Sequence, residues 1–427
     1  MIHLRPQWSR DITPTQWRAL FAAQAGWMLD AMDVLLYTFA LTTIQKEFQF
    51  DSATAGLLAS ATLLASAIGG ILFGVIADYI GRTKALITTI LIYSFCSAGT
   101  ATAQSLLQLI LWRSLLGLGM GGEWSSGSVL VSETWPAEHR GKAIGIMQSG
   151  WALGHILAAI FSAMILPKFG WRPLFLVGVF PALLTIWIRR RVSEPTVWNT
   201  ASRFSLDQNK MNGGAGPSLF SFFQKNLSAI FKPNLLRRTL IATLLTSSVL
   251  FAYWGLFTWL PGFLSKPLAQ GGAGMSIVKT SGWIIPMQIG GFFGYLSFGF
   301  ISDRFGRKPT FIFYLITAAI LVPIYGQLMH SDTTLLVLGP FIGFFGTGYF
   351  ALFGAILAEL FPTHVRGTGQ GFAYNAGRAF SALAPFIIGG LADSYGIGSA
   401  LALTSAFFLV GVVMILLLPE TRGTMLE

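Results

Sequence analysis

Long apolar runs of about 20 residues follow one another along almost the whole chain. They cover residues 17–43, 54–78, 85–104, 106–130, 142–166, 172–191, 237–263, 278–301, 310–328, 333–359, 367–392 and 398–418. A helix of this length spans the ~30 Å hydrocarbon core of a bilayer. The pattern therefore predicts an all-α membrane protein with twelve transmembrane helices, and the even number places both chain ends on one side.

The composition agrees with this class. Of 427 residues, 53% are hydrophobic and 11% are charged, and the mean hydropathy is +0.64. A soluble domain has about 25% charged residues. The single cysteine, Cys96, excludes a disulfide framework within the chain, and neither a metal-ligand cluster nor a cleavable signal peptide is evident. We expect no cofactor.

The basic residues are distributed unevenly between the predicted loops. If both ends are cytoplasmic, 21 of the 28 Lys and Arg residues fall on the cytoplasmic side. The opposite loops hold Lys46, Lys168, Arg172, Lys266 and Lys279. This asymmetry predicts a bacterial-type inner-membrane protein with cytoplasmic termini. Because the basic residues lie in these loops, we expect the net charge of +11 to favour contacts with anionic lipids rather than with nucleic acid.

One long connection, residues 192–236, divides the chain. We predict an N-terminal bundle over 1–191, a cytoplasmic linker over 192–236 and a C-terminal bundle over 237–427. The Gly-rich middle of this connection, 212–218, is typical of a flexible linker. Apolar residues at helical spacing over 219–231 fit either a helix on the membrane surface or an ordinary amphipathic linker.

The second half of the chain repeats motifs of the first at an offset close to 226 residues. Segment 74–84 matches 299–308, segment 133–141 matches 359–367, and 193–195 corresponds to 418–422. Three matches in one register predict two six-helix bundles related by an axis along the membrane normal. A substrate path is expected between them.

These motifs resemble those of the major facilitator superfamily. The pattern Gly-x-x-x-Asp-x-x-Gly-Arg begins at position 74 and again at 299, and Arg113-x-x-x-Gly-x-Gly-x-Gly lies on the fourth helix. Within this resemblance, which covers essentially the whole chain, segments 27–33, 121–124 and 374–378 resemble proton symporters for organic acids. The sialate and lactate branch is closest, and the aromatic-acid branch is next. The resemblance implies alternating access.

Five charged residues lie inside predicted membrane helices and have no charged counterpart in the other half: Asp30, Asp33, Arg113, Glu123 and Arg378. A charge at the bilayer centre costs roughly 2.5–3.5 kcal/mol on insertion scales, so such residues are usually functional. At ~1.5 Å per residue, Arg378, Asp30 and Arg113 share a layer near the membrane centre. Glu123 lies closer to the cytoplasm.

Arg378 is the natural anchor for an anion, because a guanidinium stays protonated and binds a carboxylate through two parallel hydrogen bonds. Asn375, one turn earlier, can donate to the same substrate. The other candidates for the substrate pocket are Tyr374, Gln148, Trp254 and Tyr253, and further residues that could line it are Trp151, Tyr37, Trp259 and Gln288. Two alternatives stay open: an internal salt bridge for Arg378, and a packing role for the aromatic residues.

Asp30 and Asp33 are candidates for proton coupling. They stand three residues apart and therefore face the same side of the helix. Burial and mutual repulsion favour the neutral form of a carboxyl group, so at least one should bind and release a proton. Arg113 is the expected partner of whichever stays ionised, and Glu123 is a second proton site. His155 is either a proton relay or a structural histidine.

Charged residues that recur in both halves are predicted to form a cytoplasmic gate that sets the transport rate. They are Asp78 and Asp303, Arg82 and Arg307, Glu133 and Glu359, and Arg140 and Arg366. Carboxylates at such positions can pair with arginines or with helix N-termini in one conformation and separate in another. The alternative is that they only cap loops and enforce topology.

Taken together, the residues predict a secondary active transporter that imports a small organic anion, such as lactate, pyruvate or sialate, with protons. An aromatic-acid symporter, a sugar symporter and a proton-driven exporter are the alternatives. The ending 419–422 favours a sugar porter, whereas the lack of proline over 149–155 argues against export. Nothing supports enzymatic activity. We expect a monomer whose partners are the anion, the proton and membrane lipids.

Overall fold

The first half of the computed structural model is a bundle of six helical spans. Five are continuous: α1 (Pro14–Phe48), α2 (Ser52–Ile80), α3 (Arg82–Ala101), α4 (Leu106–Thr134) and α5 (Arg140–Phe169). The sixth consists of α6 (Trp171–Leu176), a 3₁₀ turn over Val177–Val179, and α7 (Pro181–Arg191). The structure describes residues 12–136, 139–196, 224, 227–327, 331–361 and 366–421, apart from some side chains within the helices.

The second half repeats this arrangement. Its helices are α8 (Pro233–Ser265), α9 (Ile277–Phe305), α10 (Arg307–Gln327), α11 (Asp332–Thr347), α12 (Phe350–Leu360), α13 (Arg366–Ser381), α14 (Leu383–Tyr395) and α15 (Ile397–Leu416). Residues 197–223, which include the Gly-rich segment and the start of segment 219–231, lie outside the described residues. The end of that segment packs through Ile230 against Phe372 of α13.

The prediction of an all-α membrane protein is confirmed. Within the described residues, ten segments are long and apolar enough to cross a membrane. The other two spans, α4 and the pair α13–α14, are more polar because they carry Arg113, Glu123, Asn375 and Arg378. The bundles meet where α5 packs against α9 and where α2 packs against α13 and α14. We call the membrane face where α1 begins and α15 ends the terminal side.

Three spans predicted as single helices are broken. The sixth span is interrupted at Val177–Val179, the tenth at Gly348 and Tyr349, and the eleventh at Ala382. Pro181 stands at the first position of α7, where its missing N–H removes no intrahelical hydrogen bond. An apolar run fixes where a chain crosses the membrane, but hydropathy does not register such interruptions.

Two glutamates cap helices at equivalent places in the two bundles. Glu194 accepts hydrogen bonds from the backbone N–H groups of Thr83 (3.1 Å) and Lys84 (3.2 Å) at the start of α3. Glu420 accepts from those of Arg307 (3.1 Å) and Lys308 (3.0 Å) at the start of α10. These carboxylates satisfy N–H groups that a helix leaves unpaired and complement the helix dipole.

The glycine before each capped helix adopts a backbone conformation that other residues avoid. Gly81 has φ 112° and Gly306 has φ 99°. A Cβ atom on Gly81 would also collide with the Glu194 carboxylate. The repeated Gly-Arg dipeptide therefore serves the turn and the cap together.

We expect Glu194→Ala and Glu420→Ala each to destabilise the protein by about 1 kcal/mol, the usual value of a lost cap. Because the two caps lie in different bundles, their effects should add. Thermal unfolding in detergent, followed by intrinsic fluorescence, measures this. Glu194→Gln is the matched control, since its side-chain oxygen still accepts a hydrogen bond and should retain part of the stability. An unchanged unfolding temperature in the double alanine variant would contradict this role.

Candidate functional site

A cavity of about 310 Å³ lies between the two bundles. It is lined by Trp27, Gln148, Trp151, Leu250, Tyr253, Trp254, Tyr295, Phe350, Tyr374 and Arg378. The first three residues belong to α1 and α5, and the others to α8, α9, α12 and α13. Both bundles therefore contribute to its walls, so a ligand inside would contact both.

Aromatic rings form most of the cavity wall. Trp27 packs against Trp151 with ring centroids 4.6 Å apart, and Trp254 meets Trp151 edge to face at 5.9 Å. The Trp151 indole N–H also donates a hydrogen bond to the Tyr253 hydroxyl across the bundle interface. Flat apolar walls of this kind favour a planar or unsaturated ligand.

One cation faces this aromatic cavity. Arg378 is 1% exposed, and its Nε and Nη1 atoms have no hydrogen-bond partner among the described residues. Its guanidinium carbon lies 5.1 Å from the centroid of the Tyr374 ring. Since a buried guanidinium without an anionic partner is costly, an anion in the cavity would be stabilised there.

A chain of contacts holds the polar wall opposite Arg378 in place. Tyr374 stacks on Trp124 with centroids 4.2 Å apart and planes 14° apart. The Trp124 indole N–H donates to the side-chain oxygen of Gln148 at 3.0 Å. Because that oxygen already accepts this bond, the Gln148 amide NH₂ is left to donate to a ligand.

Asp30 lies fully buried beside this cavity, three residues after Trp27 on α1. Neither of its carboxylate oxygens has a hydrogen-bond partner in the described part of the chain. Asp30 is therefore a buried carboxyl group whose charge the hydrogen bonds of the described residues do not compensate.

Asp33, in contrast, is held by neighbours. It accepts a hydrogen bond from the Ser97 hydroxyl. That hydroxyl also lies 3.0 Å from the Phe175 carbonyl oxygen, and it can donate to only one of the two. Gly178, in the 3₁₀ turn of the sixth span, leaves the space that this pair occupies, because a Cβ atom there would collide with both.

Arg113 packs close to Asp33 without forming a direct ion pair with it in this structure. Its guanidinium carbon lies 4.9 Å from the Tyr37 ring centroid, and Nη2 donates to the Val34 carbonyl oxygen at 3.3 Å. Its Nε and Nη1 atoms are buried without a hydrogen-bond partner in the described part of the chain.

Glu123 extends the buried acidic groups toward the terminal side. One of its oxygens accepts a hydrogen bond from Thr89 at 3.0 Å, and the other faces Gly26, which has no side chain to block it. The Tyr93 hydroxyl donates to the Gly26 carbonyl oxygen at 3.4 Å.

Five of the six residues predicted to bind substrate line the cavity, and one does not. Arg378, Tyr374, Gln148, Trp254 and Tyr253 line the cavity. Asn375 does not belong to its lining: its NH₂ donates to the Gly371 carbonyl oxygen at 2.9 Å, and its side-chain oxygen points at Gly70 of α2. The close packing of α2 against α13 accounts for this, because the Asn375 side of α13 faces Gly70 rather than the cavity.

Some lining residues were missed. Trp27 had a sequence signal, since it stands three residues before Asp30 and shares its helix face. Tyr295, Leu250 and Phe350 had none that distinguishes them from other residues of apolar runs. His155 is buried and packs against Phe39 and Phe257, outside the cavity lining.

Of the residues predicted to form a gate, Arg82 and Glu133 make a bidentate ion pair. Their Nε–Oε2 and Nη2–Oε1 distances are 3.1 and 2.9 Å. The pair joins α3 to α4 inside the first bundle. The backbone N–H of Arg307 binds Glu420. The side chains of Asp78, Arg140, Asp303, Glu359 and Arg366 lie outside the described residues.

The whole chain matches one family. The model described as Major Facilitator Superfamily matches residues 20–296 and 278–426. The chain belongs to this superfamily. It is 31% identical, over 95% of this chain and 95% of the relative, to the cis,cis-muconate transport protein of Acinetobacter baylyi. It is 30% identical, over 94% and 93%, to the sialic acid transporter NanX of Escherichia coli.

The fold of this superfamily member agrees with solved structures. A structure of the xylose transporter XylE from E. coli superposes with a TM-score of 0.77, at 18% identity, covering 97% of this chain and 100% of that one. The superfamily assignment makes the chain a membrane transport protein and not an enzyme. In the described ranges, no group of three or more His, Cys, Asp or Glu is placed to hold a metal ion.

Proposed function

We propose that this protein imports a small organic anion together with protons by alternating access. The observation that carries the proposal is the buried Arg378 guanidinium, which faces an aromatic cavity with two nitrogen atoms unpartnered within the described residues. A carboxylate fits that position, because it accepts two parallel hydrogen bonds and neutralises the charge. A neutral sugar would leave the charge uncompensated, so sugar symport is the weaker alternative.

Proton coupling follows from competition for Arg378. In the empty protein, Asp30 is the candidate counter-charge for this arginine, because it is fully buried and its carboxyl oxygens have no hydrogen-bond partner within the described residues. When a substrate carboxylate takes over that role, Asp30 loses its compensating charge, and burial then favours its neutral form. The anion and the proton are therefore bound together, and the neutralised centre allows the bundles to rock.

The cavity walls favour planar or unsaturated acids over lactate or pyruvate. Seven aromatic side chains line the cavity, and a planar acid can stack on such rings, whereas a three-carbon acid cannot. The relatives named for cis,cis-muconate and for sialic acid both carry names of carboxylic acids. Export has no supporting feature in the site.

We further propose that the protein resides as a monomer in a bacterial-type inner membrane with both termini cytoplasmic. The excess of Lys and Arg on the terminal side supports this orientation. Arg82 and Glu133, with the recurring charges near them, would then serve the cytoplasmic gate. Their bidentate ion pair supports a contact at that face that forms in one conformation and separates in another.

Reconstitution into liposomes tests the proposal. We expect labelled benzoate, cis,cis-muconate or sialate to accumulate when the outside is acidified, because external protons load Asp30. The initial rate should rise severalfold per unit of external acidification and collapse when a protonophore dissipates the gradient. Xylose is the neutral control and should not accumulate. Movement of no carboxylic acid, or movement indifferent to the proton gradient, would contradict the proposed function.

A further inference from the structure

A second layer of buried polar atoms lies beyond the cavity, on the side away from the termini. His155 follows Trp151 by one turn of α5, and Phe257 follows Tyr253 by one turn of α8. Gln288 precedes Tyr295 by seven residues of α9, about 10.5 Å along the axis. Since α9 runs opposite to α5 and α8, all three residues lie beyond the cavity lining on the side away from the termini.

Gln288 is the least satisfied residue of this layer. It is 1% exposed, and neither its amide oxygen nor its NH₂ has a hydrogen-bond partner within the described residues. Burying such a group unpaired costs free energy. The Nδ1 atom of His155 is likewise buried without a partner there. Two buried polar side chains without partners in the described residues, both on this side of the lining, indicate a place for a polar ligand atom.

The orientation of α9 directs Gln288 toward the space between the bundles. The helix packs on α11 through Met287 and Gly290, which approach Gly343 and Pro340. Successive residues differ by about 100° around a helix, so Gln288 lies at the edge of that contact, near Thr347, rather than within it. Seven residues make almost two full turns, so Gln288 lies on the same face as the cavity residue Tyr295.

Thr347 adds a hydroxyl to the same corner. A Cβ atom on Gly291 would lie 2.9 Å from the Thr347 hydroxyl oxygen and 3.5 Å from the Gln288 amide oxygen, so both border the space above this glycine. The Thr347 hydroxyl donates to the Gly343 carbonyl oxygen at 2.7 Å and retains its acceptor capacity. The corner offers both donors and acceptors.

We propose that Gln288 is a second polar contact for the substrate, at the opposite end from Arg378. The substrate class is then an organic acid with a carboxylate at one end and a second polar group, a hydroxyl, a ring nitrogen or another carboxylate, at the other. This inference rests on the proposed function, since it assumes that the carboxylate occupies Arg378. The Gln288 amide distinguishes such acids from their unsubstituted relatives.

Ligand binding to the purified protein, followed by quenching of tryptophan fluorescence, tests the assignment. The probes are benzoate, 3-hydroxybenzoate, 4-hydroxybenzoate and nicotinate, which share one planar acid and differ at the far end. We expect wild-type protein to bind at least one substituted acid more tightly than benzoate. Gln288→Leu should weaken the binding of that acid by about tenfold or more and leave the binding of benzoate unchanged.

Thr62→Val is the matched control. Thr62 lies 226 residues before Gln288 and occupies the corresponding place in the first bundle, but its hydroxyl is satisfied by the Leu58 carbonyl oxygen at 3.0 Å. Thr62→Val should leave the preference for the substituted acid over benzoate unchanged. Equal effects of Gln288→Leu on all probes, or none on any, would overturn the inference while leaving the proposed function standing. If wild-type protein binds none of the acids, and liposomes transport none, the proposed function itself fails, and this inference fails with it.

Discussion

Replacing Arg378 by glutamine should abolish uptake of organic acids while leaving a folded protein. Glutamine keeps hydrogen-bonding capacity but removes the positive charge on which the substrate carboxylate depends. Removing one partner of a buried charge pair costs about 3–5 kcal/mol, which corresponds to more than a hundredfold weaker binding. Initial uptake rates into liposomes and ligand quenching of tryptophan fluorescence measure transport and binding separately.

Arg378→Lys tests whether charge alone is sufficient. Lysine restores the positive charge. Its ammonium group lacks the planar guanidinium that binds a carboxylate through two parallel hydrogen bonds. We expect partial recovery of binding, well below the wild-type value. Arg172→Gln is the control, because Arg172 is half-exposed and pairs with Glu47 at 2.7 Å, far from the cavity. Wild-type affinity in Arg378→Gln would exclude this residue as the anion site.

Asp30→Asn should separate transport from the proton gradient. The amide is permanently neutral and so imitates the protonated state that the substrate-loaded protein requires. We expect Asp30→Asn to exchange labelled for unlabelled substrate across the membrane but to lose accumulation driven by external acidification. Its uptake rate should not change with external pH, whereas that of the wild type rises as pH falls. Exchange and accumulation are measured in the same liposomes.

The neighbouring carboxylate provides the contrast. Asp33 accepts a hydrogen bond from Ser97, whereas Asp30 accepts none within the described residues, so we expect Asp33 to be the one that stays ionised. Asp33→Asn should therefore lower protein stability and transport rate but keep the response to pH. If Asp30→Asn still accumulates substrate with full pH dependence, and Asp33→Asn does not, the roles of the two residues are exchanged.

Local sequence did not distinguish these two acids. Both lie on α1 inside one apolar run, and their three-residue spacing gives them a common face. Their difference comes from α3 and from the 3₁₀ turn of the sixth span, which bring Ser97 and the gap at Gly178 to Asp33 alone. Those segments are more than 60 positions away, so no local pattern predicts the contact.

The contacts of Asn375 and Glu194 were likewise not predictable from local sequence. Asn375 was predicted to face the substrate from its distance of one turn, but a close approach of α2 at Gly70 occupies its side. Glu194 was recognised only as a member of a repeat, and its role as a cap depends on the chain returning to α3. Spacing along one helix fixes a face, whereas the neighbour of that face depends on how helices pack.

By itself, the sequence determined the membrane class, the twelve spans, the two related bundles and the small set of charges worth examining. These properties follow from hydropathy, from repeated motifs and from the high cost of charge in lipid, all of which act locally along the chain. Only the tertiary structure decided which aromatic residues enclose the cavity, that the Asp30 carboxyl group has no hydrogen-bond partner within the described residues, and that the same holds for the Gln288 amide. Those relations join helices far apart in sequence, and they arise from side-chain packing at the bundle interface, which no local pattern encodes.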